Sequence, residues 1–218
     1  MVIKMKYIVE FSKSEDVKYV SHLDVIRMFN RTMRRCDLPM SYSQGFNPHS
    51  LMTFAHPLGV GISSKCELVK IAFETETDNL TERLNKGFPP GFRALNSKTT
   101  EEKSPFKGLK YADYTVKIMG KIDGGIEKVF EKPEIIMEKK TKSGVRDTDI
   151  RPLIKSYNIT GKSDSVFEFG AILNCGEVNL KPELLINALE TYSDTVADDF
   201  FICRNALLDE NEEKLIKF

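Results

Sequence analysis

Apolar residues at 7, 8, 9 and 11, set off by Lys6 and Glu10 in KYIVEF (6–11), predict a strand. The spacing then changes to that of a helix over residues 21–38. His22, Val25, Ile26, Met28, Phe29, Thr32, Met33 and Cys36 share one broad side, while Asp24, Arg27, Arg31, Arg34 and Arg35 share the other. Ser21 suits an N-cap with Asp24 at the third helical position, and Pro39 is expected to end the helix. Strands are predicted at 51–58 and 66–74, a helix at 79–87 closed by Gly87, and a strand at 92–99. The order is β-α-β-β-α-β.

That order recurs downstream. Strands are predicted at 113–120, 134–141, 165–173 and 200–208, with helices at 124–132 and 182–192, the latter opened by Pro182. The stretch 144–161 is additional, and its pattern fits a short helix or another strand. Residues 101–112, charged and broken by Pro105 and Gly108, read as a linker between units at 1–100 and 113–218. The expected class is therefore α+β, as two tandem ferredoxin-like units with antiparallel sheets. The repeat is one of element order, not of residues.

Composition narrows function mainly by exclusion. The 218 residues balance 32 Lys+Arg against 32 Asp+Glu, so a basic surface has to arise from local clustering. The N-terminal MVIKMKYIVEF lacks a signal-peptide pattern, and no apolar run is long enough to span a bilayer, so a soluble cytoplasmic protein is expected. Cys36, Cys66, Cys175 and Cys203 are too scattered for a metal site or a disulfide framework and read as buried thiols. Phosphate-loop, dinucleotide-binding and nucleophile-elbow patterns are missing. No cofactor and no metal is expected.

Local chemistry concentrates in the first unit. Only Asp24 is placed to neutralise Arg27 or Arg31, so most of the charge of Arg27, Arg31, Arg34 and Arg35 is uncompensated locally and suited to bidentate phosphate or carboxylate contacts. A solvated helix face explains the same pattern. The loop that follows, YSQGFNPHS (42–50), is long for an internal connection. Its Tyr42 and Phe46 suit base stacking or anchoring in the core, and Gly45 permits close backbone approach. Ser43, Gln44 and Asn47 complete a candidate nucleic-acid surface with the arginines. All three histidines fall in this region. His49 and His22 are candidates for general acid–base catalysis, whereas His56, before Pro57, reads as structural.

The segment YVSHLDVIRMFNRTMRRCDLPMSYSQGFNPHSLMTFAHPLGVGISSKCELV (19–69) closely resembles the start of the radical-SAM-linked protein family, a bacterial domain of unknown function. RDTDIRPLI (146–154), VNLKPELL (178–185) and ICRNALL (202–208) agree with it. The resemblance implies a companion of a radical SAM protein encoded nearby, because the chain lacks the CxxxCxxC of the radical enzyme itself. In architecture alone it is similar to repeat-associated proteins with tandem ferredoxin-like domains that cleave RNA without metal. Three functions follow as expectations: an RNA-binding or substrate-presenting accessory protein, a metal-independent endoribonuclease using His49 and His22, and a protein-interaction module.

Overall fold

The structure, a computed structural model, describes residues 4–141 and 144–218. Met1, Val2 and Ile3, part of the N-terminal segment just discussed, and Lys142 and Ser143, beside the stretch of undecided pattern, lie outside the described residues. The chain is mixed α+β and divides into two compact units, Met1–Leu109 with Glu213–Phe218, and Lys110–Glu212. Residues 101–109 thus belong with the first unit, where Lys70 Nζ donates to the Lys103 carbonyl and Pro105 is buried. The last six residues also lie there, with the Lys217 carbonyl accepting from Lys98 Nζ at 2.5 Å.

In the first unit the elements are β1 (Met5–Lys13), α1 (His22–Arg35), β2 (Met52–Phe54), β3 (Ile62–Phe73), α2 (Leu80–Gly87) and β4 (Phe92–Thr99). The strand order is β4-β1-β3-β2 and every pair is antiparallel. Register explains the core. Tyr7 lies opposite Ile71 and Val9 opposite Val69, so these side chains share a face of the sheet. Val25, Phe29 and Met33 of α1 and Leu80 and Leu84 of α2 pack with them. Phe29 is fully buried at the centre, edge-on to Phe11 at 5.0 Å, Phe88 at 5.1 Å and Phe54 at 5.7 Å.

The second unit contains β5 (Tyr111–Lys121), α3 (Lys128–Glu131), β6 (Ile136–Thr141), β7 (Gly144–Asp149), β8 (Ile154–Lys162), β9 (Val166–Asn174), α4 (Pro182–Thr191) and β10 (Val196–Leu208). Its antiparallel order is β10-β5-β9-β8, and β6 and β7 form a separate two-stranded hairpin. The expected strand at 134–141 exists, but it leaves the main sheet. Its place is taken by β8, from the stretch whose pattern was undecided. Aromatic packing favours this choice: Tyr157 of β8 stacks on Phe130 at 4.4 Å and 17°, and Phe130 meets Phe169 edge-on at 5.3 Å. In the hairpin, by contrast, Lys139 stands opposite Arg146 and Glu138 opposite Asp147, like-charge pairs that disfavour burial within a sheet. The helix expected at 124–132 shortens to α3 because Asp123 accepts from the Gly125 N–H at 3.1 Å and holds a turn there.

Candidate nucleic-acid interface

Helix α1 begins as its sequence predicts. Ser21 is extended at the N-cap, and its hydroxyl accepts from the Asp24 N–H at 3.2 Å. The reciprocal half of the capping box differs. The Asp24 carboxylate accepts a hydrogen bond from the Ser21 hydroxyl at 2.7 Å, not from the backbone N–H of the cap. Arg27 pairs with Asp24 at 2.7 Å. The Ser21 hydroxyl and then the Arg27 guanidinium hold the Asp24 carboxyl below its ordinary pKa.

The C-terminus of α1 is set three residues earlier than expected. Asp37 adopts a left-handed conformation (φ 48°), the Leu38 N–H donates to the Met33 carbonyl at 2.9 Å, and the Asp37 N–H donates to Arg34 at 3.2 Å. This is a Schellman ending, and Pro39 lies beyond it. The expected stop at Gly87 is also of a different kind. Gly87 is the last residue of α2, and a Cβ there would stand 2.4 Å from Cys36 Sγ and 2.9 Å from Thr32 Cγ2. It serves close packing of α2 against α1.

The four arginines therefore separate into two groups. Arg35 donates to the Gly87 carbonyl and to Thr32 Oγ1 at 3.3 Å, so it caps the end of α2. Arg83 on α2 returns the arrangement, donating to the Cys36 carbonyl at 2.7 Å and the Asp37 carbonyl at 3.1 Å. Nothing near Arg83 in sequence signals this, because its partners are 46 and 47 residues away. Arg27, Arg31 and Arg34 are exposed, with Phe29 and Met33 buried on the opposite side and Ile26 half-buried. Arg27 is paired only with exposed Asp24, and Arg31 and Arg34 form no hydrogen bond or ion pair among the described residues.

The 42–50 loop is closed at its base. Tyr42 bridges Ser50, and the Ser43 N–H donates to the His49 carbonyl at 2.8 Å. Tyr42 is half-buried against the core and its carbonyl accepts from Lys4 Nζ at 3.3 Å. Gln44, Gly45, Phe46 and Asn47 are exposed at the tip. Gly45 has φ +119° and open space around it, so the requirement for glycine there is conformational.

The histidines occupy different environments. His49 is exposed, with Nδ1 2.8 Å from Ser43 Oγ, and the His49 backbone N–H donates to that same oxygen at 3.0 Å. No carboxylate touches its ring among the described residues, so the Ser43–His49 pair lacks the third group that orients a hydrolase triad. His22, at the first position of α1, lies edge-on to Phe54 at 4.9 Å, and burial lowers its pKa. It lines a pocket with Phe11, Lys13, Val20, Val25, Phe54, Leu58 and Glu67. Lys13 is buried and donates to the Lys18 carbonyl at 2.7 Å and the Val20 carbonyl at 2.9 Å. The cavity measures about 10 Å³, the room one water needs and far below that of a small-molecule site. No hydrogen bond or ring contact joins His22 to His49.

Elsewhere, Cys66 and Cys175 are buried and Cys36 and Cys203 half-buried, and none of them is in a disulfide. No helix among the described residues is long and apolar enough to cross a membrane.

The chain belongs to the family described as an uncharacterized protein conserved in bacteria (DUF2344), whose model matches residues 6–182. No curated protein matches it by sequence. In fold it is similar to a chain from the crystal structure of a Cbf5-Nop10-Gar1 complex, with a TM-score of 0.56 and 10% identity over 91% of this chain and 47% of that one. It is also similar to a chain from an H/ACA RNP bound to a substrate RNA containing 2'-deoxyuridine, with a TM-score of 0.50 and 9% identity over 92% of this chain and 47% of that one. The chain thus spans about half the length of each of these two chains, and the likeness is one of fold.

Proposed function

We propose that this member of an uncharacterised bacterial family is a non-catalytic RNA-binding protein that meets phosphates with the exposed face of α1 and approaches bases with the tip of the 42–50 loop. The observation that carries this reading is the free charge of Arg31 and Arg34, beside Arg27, in a chain whose overall charge is zero. Guanidinium groups held on a rigid helix without internal carboxylates match the planar, bidentate geometry of phosphate oxygens. Phe46 and Gln44 at the loop tip add an aromatic face and an amide within the same unit. A fold neighbour from an H/ACA RNP bound to a substrate RNA is in keeping with this reading. The fold in this proposal is a pair of ferredoxin-like units in which β8 supplies the second strand of the second sheet and the β6–β7 hairpin is an insertion.

The radical SAM protein implied by the family resemblance is the proposed recipient of the bound RNA. Ultraviolet crosslinking in cells, followed by sequencing of the attached RNA, tests the central claim. Recovery of no more RNA than from an Arg31→Glu, Arg34→Glu variant would count against it.

A second reading, metal-independent RNA cleavage, draws on His22. Its lowered pKa leaves a neutral imidazole at pH 7, the form a general base needs. Cleavage in EDTA by the wild-type chain, abolished in the His22→Ala, His49→Ala double variant, is the result this reading requires.

A further inference from the structure

We infer that Tyr19 is a base-stacking platform at the N-terminal end of the arginine stripe, and that the RNA taken by this surface is single-stranded; this rests on the RNA-binding reading above. Large apolar side chains are usually drawn into the core, yet Tyr19 is 71% exposed, Leu23 63% and Val60 55%. All three belong to the segments that start α1 or lie beside that start.

The platform is built, not frayed. The turn carrying Tyr19 is held by the Lys18 N–H on the Glu15 carbonyl at 3.1 Å and the Val20 N–H on the Val17 carbonyl at 2.9 Å. The Lys18 carbonyl accepts from the buried Lys13 ammonium at 2.7 Å and from the Gly61 N–H at 2.9 Å. Through that last bond the Val60–Gly61 segment runs beside the ring, and a Cβ on Gly61 would lie 3.9 Å from Tyr19 Cε1. The Lys18 ammonium stands 5.3 Å from the ring centroid and is paired with Glu15 at 2.6 Å. The tyrosine is thus braced by a cation–π contact while most of its surface is left to solvent.

Its position relative to the charge makes the case for a nucleic acid. Leu23, Arg27, Arg31 and Arg34 are spaced i, i+4, i+8 and i+11, which places them along one stripe of α1. At the rise of an α-helix the stripe is about 16 Å long. An exposed aromatic ring two residues before the cap of a helix that carries Arg31 and Arg34 without hydrogen-bond or ion-pair partners is the pairing that single-stranded nucleic acids use, with bases on rings and phosphates on cations. A duplex keeps its bases stacked on one another and offers such a ring no partner.

The test uses the full chain with a short oligouridine carrying one 2-aminopurine, and with a duplex of the same length. Affinity and 2-aminopurine quenching are followed, and urea melts confirm that each variant is folded. Wild type is expected to bind and quench the single strand in preference to the duplex. Tyr19→Ala should weaken single-strand binding by about 5- to 150-fold and remove the quenching, with duplex binding unchanged. Tyr19→Phe should retain both. Wild-type affinity in Tyr19→Ala, or equal affinity of wild type for duplex and single strand, overturns the platform and leaves the phosphate-binding reading standing. No binding of either RNA by wild type, including the case in which an acidic peptide binds instead, overturns both.

Discussion

Removing Arg31 and Arg34 together is the sharpest perturbation of the proposed surface. Both side chains are exposed and form no hydrogen bond or ion pair among the described residues, so Arg31→Ala, Arg34→Ala should change unfolding stability by less than about 0.5 kcal/mol. The effect on RNA should be large in one particular way. Each phosphate neutralised on a single strand contributes about 0.7 to the slope of log affinity against log salt. Loss of two contacts should flatten that slope by about 1.4. Over a fourfold rise in salt, from about 50 to about 200 mM, wild type should then lose roughly seven times more affinity than the variant. Fluorescence anisotropy with a labelled oligouridine across a potassium chloride series measures this, beside urea melts of both proteins. Arg35→Ala provides the contrast. Its guanidinium caps the Gly87 carbonyl, so its loss should cost about 1 kcal/mol of stability. Equal salt slopes for wild type and double variant would refute phosphate contact by these arginines, and a stability loss in the double variant would refute their description as uncommitted.

Gly87→Ala should destabilise the chain by about 1–3 kcal/mol in urea, since the new methyl meets Cys36 Sγ at 2.4 Å and Thr32 Cγ2 at 2.9 Å. Adding Cys36→Ala should recover part of that loss. Asp37→Gly should raise the unfolding free energy read from urea melts by up to about 1 kcal/mol, because Asp37 holds a left-handed conformation at the α1 terminus (φ 48°). For His22, burial lowers the folded pKa below the ordinary 6.5. Between the two values the unfolded chain binds the proton and the folded one does not. Stability contributed by neutral His22 is therefore complete above about pH 6.5 and falls as pH drops toward the folded pKa. Denaturant melts from pH 7.5 to pH 5 should show a shallower pH dependence in His22→Gln than in wild type.

Local patterns were enough for much of this protein. The helical spacing of residues 21–38 separated Phe29 and Met33 from the arginines, and the cap at Ser21 could be read directly, because a helix sorts its own faces and satisfies its first N–H groups within a few residues. The apolar segments of β1 and β3 were likewise legible as strands, and the exposed arginine stripe followed from the helical periodicity of α1. Elements whose form depends on distant partners were different. The periodicity of β6 and β8 does not say which joins the second sheet, since stacking of Tyr157 on Phe130 enters that balance only after folding. Pro39 and Gly87 looked like helix stops, yet α1 ends through bonds to Met33 and Arg34, and Gly87 answers to the approach of Cys36 and Thr32. Arg35 matched its neighbours in sequence but became a cap, because α2 brings a carbonyl to it from 52 residues away. Tyr19 attracts no attention in a chain with seven tyrosines. Its exposure is decided by tertiary structure, where Lys13 and Gly61 hold the Lys18 carbonyl and Val17 and Val20, on either side of Tyr19, take the contacts with the core.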